Sequence, residues 1–96
     1  MLERMTIKTE DKSTLEPLLK SALTNEKKMI LLGLERTRKR LVELEQKHGM
    51  SSQEFEHRLD KSDISETVEF SDWRMEIGML RLLERQYQAL ENAQLD

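Results

Sequence analysis

The stretch that most constrains this chain is residues 47–55, KHGMSSQEF. A helical pattern ends there and a second element begins. Gly49 is placed to stop a helix, because the residue after the last turn usually takes the left-handed conformation, which glycine adopts with no Cβ penalty. Ser51 and Glu54 have the S-x-x-E spacing of a capping box, in which each side chain meets an otherwise unpartnered backbone N–H. Met50 and Phe55 flank that cap at the spacing of a hydrophobic staple, which sets the angle at which the chain enters the next helix. A stop, a cap and a staple so close together specify a bend between two helices. They are instructions for folding and carry no chemistry of their own.

Upstream of the bend, Ile30, Leu34, Thr37, Leu41, Leu44 and His48 recur at alternating spacings of four and three. That is the seam of a helix packed along its length on another helix. Leu19 and Leu23 continue the same face. Residues 13–48 are therefore either one helix or a pair kinked near residue 25, where Thr24-Asn25-Glu26 interrupts the pattern. Ser13 and Glu16 offer a second capping box, with Pro17 suited to a helix start. Met29 and Leu32 point away from the seam, so the first half of this helix is apolar on two sides. Residues 3–9 alternate Met5, Ile7 and Thr9 with Thr6 and Lys8, the pattern of a short strand or an extended arm. Arm and first helix are expected to cover one flank of the fold.

Downstream, residues 51–59 predict a short helix burying Phe55 and Leu59. A polar connection occupies residues 60–67, and a long helix over 66–92 emerges from it. Phe70, Trp73, Ile77, Leu80, Leu83 and Tyr87 form one stripe of that helix. Val68, Met75, Met79, Leu82, Ala89 and Ala93 form a second, nearly opposite. One buried face needs only one stripe. The second predicts another contact, within the chain or with a partner. Gly33 and Gly78 fall inside helices, where each costs ~1 kcal/mol relative to Ala, and close helix approach would account for them. The expected fold is all-α: one domain over residues 1–96, a long αα-hairpin with a short capped helix in the bend.

Composition narrows the function classes. Cysteine is absent, which removes thiol and disulfide chemistry. The first residues hold no apolar segment of the signal-peptide type. The longest apolar run, residues 29–34, is far too short to span a bilayer. A soluble cytoplasmic protein with no membrane contact is expected. Charge is segregated: residues 26–48 carry seven Lys/Arg against four acids, and residues 51–72 carry two against seven. A basic helix thus leads into an acidic segment.

Few constellations have chemical meaning. Glu45-x-x-His48 and Glu54-x-x-His57 match the E-x-x-H element of di-iron carboxylate bundles. They straddle a helix end instead of facing each other, and Glu54 already has a capping role. Structural histidines, no metal and no cofactor are expected. No phosphate loop or nucleophile elbow is present, so no catalytic residues are assigned. Arg36, Arg38, Lys39 and Arg40 could contact nucleic acid, although a basic cluster without interleaved aromatics is more simply a solvated face. The order strand–helix–helix over residues 3–48 resembles the ribbon-helix-helix DNA-binding fold. Lys8 is the only basic residue in its alternating stretch, residues 5–9, and the usual turn glycine between the helices is missing.

Three stretches together, LGLERTRKRL at residues 32–41, KHGMSSQEF at 47–55 and FSDW at 70–73, resemble a family of small helical proteins from archaea and bacteria. That family carries a G-L-x-x-T-x-x-R-L run, a K-Y-G-M-S-S-E-E-F turn, an acidic loop and an F-x-E-W motif. Its members are regarded as antitoxins, encoded beside small toxin proteins. The resemblance covers about residues 29–82. It departs at His48, where the family has an aromatic, at the acidic loop, which lacks the family's Gly, and at Asp72, where the family has Glu. It implies a partner-binding role with no catalytic residues: neutralisation of a cognate toxin, an RNA-acting enzyme, by protein–protein contact. In that reading Met75, Met79 and Leu82 anchor the contact, and Glu66, Glu69 and Asp72 oppose a basic nucleic-acid groove. The rival expectations are a DNA-binding autoregulator using residues 1–40, including Arg36, Arg38, Lys39 and Arg40, and a structural oligomerisation module, with a homodimer as its simplest form.

Overall fold

The four–three seam brings two long helices together, and the bend at residues 47–55 sets their order. The computed structural model describes residues 1–95. It consists of α1 Lys12–His48, α2 Ser52–Asp60 and α3 Val68–Glu91, with no strand among the described residues. Residues 1–9 form no helix or strand, so of the two N-terminal alternatives the arm is the one observed.

The upstream seam is one continuous helix, and its start differs from the Ser13–Glu16 expectation. Asp11 is the N-cap: its Oδ1 accepts from the Thr14 N–H at 3.1 Å and from the Ser13 hydroxyl at 3.0 Å. Asp is as good an N-cap as Ser and lies two residues earlier. Pro17 is consequently inside α1. Its missing N–H removes one bond near the helix start and does not end the helix. Thr24 does not break the helix either. Its hydroxyl donates to the Lys20 carbonyl at 2.9 Å, inside the turn.

The bend is built largely as the sequence specifies. Gly49 has φ 63° and ψ 32°, and the Met50 N–H reaches back to the Glu45 carbonyl at 3.3 Å, the 6→1 bond of a Schellman ending. Ser51 caps α2 by accepting from the Glu54 N–H at 3.1 Å. The reciprocal half of the box is not made. Glu54 instead pairs with Arg58 one turn along, and the Glu45 carboxylate of α1 accepts from the Ser52 N–H at 2.7 Å. Two helices therefore share one cap. Thr67 starts α3 in the same way, accepting from the Phe70 N–H at 3.1 Å.

α1 and α3 run antiparallel. Lys27 pairs with Glu91, Gly33 lies against Leu83, and Lys47 and His48 meet Glu69. The buried core is Ile30, Leu34, Leu41 and Leu44 from α1, Phe55 from α2, and Trp73 and Ile77 from α3, with Thr37 in the same seam. It is densest at the bend, where Met50, Leu59, Ile64, Phe70 and Leu80 pack around it. Because α1 does not fold back, its N-terminal part runs past the end of α3 and covers no flank. The molecule measures 58 × 25 × 19 Å, with a radius of gyration of 18.8 Å. A compact chain of this length has a radius near ~12–13 Å.

The two helical glycines separate under this register. A Cβ on Gly33 would sit 3.2 Å from Leu83 Cδ1, so the helices do approach closely there. A Cβ on Gly78 meets nothing within 4 Å, and no packing reason accounts for that glycine. Gly78→Ala should therefore stabilise the fold by ~0.5–1 kcal/mol through helix propensity alone. Gly33→Ala should gain less, because Leu83 must give way. Urea unfolding followed by circular dichroism measures both, and equal gains would place α3 differently against α1.

Candidate partner-binding surface

The sequence proposes two kinds of contact group on α3, acids and an apolar stripe, and the structure treats them differently. The acids Glu66 and Glu69 serve the fold. Glu69 accepts from Lys47 Nζ at 2.8 Å and binds His48 Nε2 at 2.9 Å, tying the start of α3 to the end of α1. Glu66 accepts from the Ser71 hydroxyl at 3.0 Å and from Arg74 at 3.1 Å. Asp72 is exposed and makes no ion pair among the described residues. Glu54 is spent on Arg58, and Glu56 makes a two-pronged pair with Arg81. Of the acids over residues 54–72, only Asp60, Asp63 and Asp72 are left without an ion pair among the described residues.

These partners lower the carboxyl pKa values. Glu69 is held below the usual 4.5 by the hydrogen bonds from Lys47 and then His48. Glu66 is lowered by Ser71 and then Arg74. Where the folded pKa is depressed, the stabilisation is present above the unfolded value and is lost as pH falls through the folded one. The fold should thus weaken with acid below about pH 4.5, near the unfolded carboxylate value. Glu69→Gln should flatten part of that fall in a thermal-melt series from pH 7 to pH 3. An unchanged slope would mean the Lys47–Glu69–His48 pairing is absent in solution.

The histidine motifs resolve into structural parts. His48 stacks near Trp73 with ring centroids 5.4 Å apart and meets Phe70 edge-on at 5.1 Å. Glu45 is occupied by the Ser52 N–H, and His57 is exposed. Among the described residues, no three His, Cys, Asp or Glu side chains converge on a common point. The basic cluster divides. Each helical residue turns the direction by about 100°. All four cations are exposed, and Arg40 lies 3.8 Å from Glu43. Arg36, Lys39 and Arg40 fall within about 100° on one side of α1, and Arg38 stands apart from them.

The apolar stripe is what remains open. Met75 is 70% exposed, Met79 46% and Leu82 48%, and Val68 continues the line. Nothing among the described residues covers it, whereas Trp73 and Ile77 on the opposite face are buried. The helix turn also shows which flank is open. Gly33 touches Leu83, so the side of α1 that carries Met29, Arg36 and Arg40 adjoins the side of α3 that carries Asp72, Met79 and Leu83. α2 lies on the other flank, where Glu56 meets Arg81. The open flank therefore has apolar residues from both helices along its middle and charges of both signs at its edges. Pattern alone located Met75, Met79 and Leu82. It missed the contributions of Glu45 and Ser52 to the bend, because a cap shared between helices leaves no local signal.

No family model matches this chain, and neither a curated protein nor a solved structure does. Among the described residues, no helix is long and apolar enough to cross a membrane.

Proposed function

We propose that this chain is a non-enzymatic binding protein of the antitoxin type, which neutralises a cognate toxin by protein–protein contact. The observation that supports this most is the exposed Met75–Met79–Leu82 line on a helix fixed from behind by Trp73 and Ile77. Methionine adapts its shape to a partner, and a rigid helix presents it with little ordering cost on binding. The surroundings fit the usual anatomy of an interface, an apolar centre with a polar rim. Asp72, Arg36 and Arg40 supply that rim. The acids proposed to face the basic groove of an RNA-acting toxin are Asp60, Asp63 and Asp72, since Glu66 and Glu69 are paired at the surface with groups of the same chain. Their role is to steer the encounter and set orientation more than to add affinity. The DNA-binding alternative receives less support: Arg36, Lys39 and Arg40 share one side of α1, but Arg38 points away and no strand precedes the helix among the described residues.

Co-expression with the product of the adjacent gene tests the proposal, growth being the readout. The wild-type chain should restore growth. Met79→Asp should keep its helical circular dichroism, because the site is outside the core, and should bind at least about thirtyfold more weakly, the size of a central interface residue's effect. A Met79→Asp chain that loses its helix would make the stripe part of the fold. One that still neutralises would move the contact elsewhere.

A further inference from the structure

The seam of α1 is longer than the helix it packs on. Its face continues toward the N-terminus through Leu23, Leu19 and Leu15, yet α3 ends at Glu91, opposite Lys27. Residues 12–26 of α1 therefore project ~22 Å beyond α3. On one and the same face, Ile30, Leu34, Leu41 and Leu44 are at most 6% exposed, while Leu15, Leu19 and Leu23 are only half-buried. The arm lies beside this overhang without closing it. Met5 is 88% exposed and Ile7 56%. Between arm and helix runs an open groove of about 670 Å³, whose apolar lining includes Met5, Ile7, Leu15, Leu19 and Leu95.

Two magnitudes say what fills it. The chain exposes 8018 Å², whereas a compact monomer of this mass exposes ~5,800 Å². The difference is larger than the ~800 Å² that each partner of a standard interface buries, so one molecule has ample surface to bury against another. Charge then selects the end. Residues 1–28 carry six Lys/Arg against five Asp/Glu, so two such segments do not repel. The bend end, with two against seven over residues 51–72, would repel its own copy. The arm adds a third reason. Its alternation of Met5, Ile7 and Thr9 is a strand pattern with no strand to pair with, and a lone strand gains stability only from a neighbour.

We propose that the arm and the overhanging start of α1 form a two-fold interface with the same segment of a second copy of this chain, so that each seam is completed by the other. The contact is isologous: one patch, used on both sides. It leaves the Met75–Met79–Leu82 line free, so it stands whether or not that line binds a toxin.

Sedimentation velocity on the 96-residue chain is the test. The wild type should sediment at twice the 11.4 kDa of one chain. Leu19→Asp should run as a single chain with its helical signal kept, because Leu19 is outside the buried core. Should the charge instead disrupt the helix, Leu15→Ala with Leu19→Ala decides, since alanine preserves helix propensity; self-association should then weaken at least tenfold. Met79→Asp should remain a dimer. A wild-type chain that stays single at about 100 µM would overturn the proposal, as would a Leu19 variant that still dimerises or a Met79→Asp that does not. A single chain whose Leu19 variants lose the toxin would give the overhang to the toxin instead.

Discussion

Everything in this fold hangs on the burial of Trp73. Its indole is fully buried and lies parallel to the Phe55 ring, 3.9 Å away with planes 3° apart. Its Nε1–H donates to the Ser52 hydroxyl at 2.9 Å, so the one polar atom of the ring is satisfied. His48 stands beside it. One side chain of α3 thus touches the end of α1 and the start of α2. Removing a ring of this size from water is worth roughly 4–6 kcal/mol, taking ~150–250 Å² at ~25 cal/mol per Å². Small domains have net stabilities of only ~5–15 kcal/mol. The bend could not hold its geometry without that contribution.

Register follows from this point. With Trp73 fixed against Phe55, Glu69 falls within reach of Lys47 and His48, and each further turn of α3 meets α1 at a determined level as far as Lys27 and Glu91. The densest packing is at the bend, and it thins toward the other end, where α1 continues past the end of α3. Local stability should be graded in the same direction, since opening free energies track buried apolar contacts. The helix end that most needs a neighbour is the one farthest from Trp73.

How much could be read from the sequence depended on range. The seam, the αL stop at Gly49, the Ser51 cap and the two opposed stripes of α3 are written in spacings of three to five residues, and all appear where those spacings put them. The continuity of α1 was not decidable, because Thr24 has two local options, and the sequence does not say whether its hydroxyl turns back to Lys20 or starts a break. The partners of Glu66 and Glu69 were not legible for a related reason. Glu69 looks free until the register places Lys47 and His48 beside it, and register is a property of two helices, not one; Glu66 finds Ser71 and Arg74 within its own segment. The same limit hid the direction of the Met stripe. Two stripes said that α3 has two contacts, but only the packed hairpin shows that the chain provides one of them.

The three regions of the molecule consequently face different demands. The bend is self-sufficient and acidic, which favours an encounter with a basic surface and disfavours contact with its own copy. The middle presents an apolar line on a rigid support, rimmed by Asp72, Arg36 and Arg40. The far end is nearly neutral, with an unfinished seam and an unpaired arm. A chain of 96 residues has little core to spare, so a long helix left half uncovered is costly unless something packs on it. In isolation the overhang must be held by helix propensity, the Asp11 cap and the few contacts of the arm, and isolated helices of ~12–15 residues are marginal in water. Its persistence as regular helix is therefore tied physically to the rest of α1, whose first turns are carried by the same continuous hydrogen-bond ladder that Trp73 anchors at the opposite end.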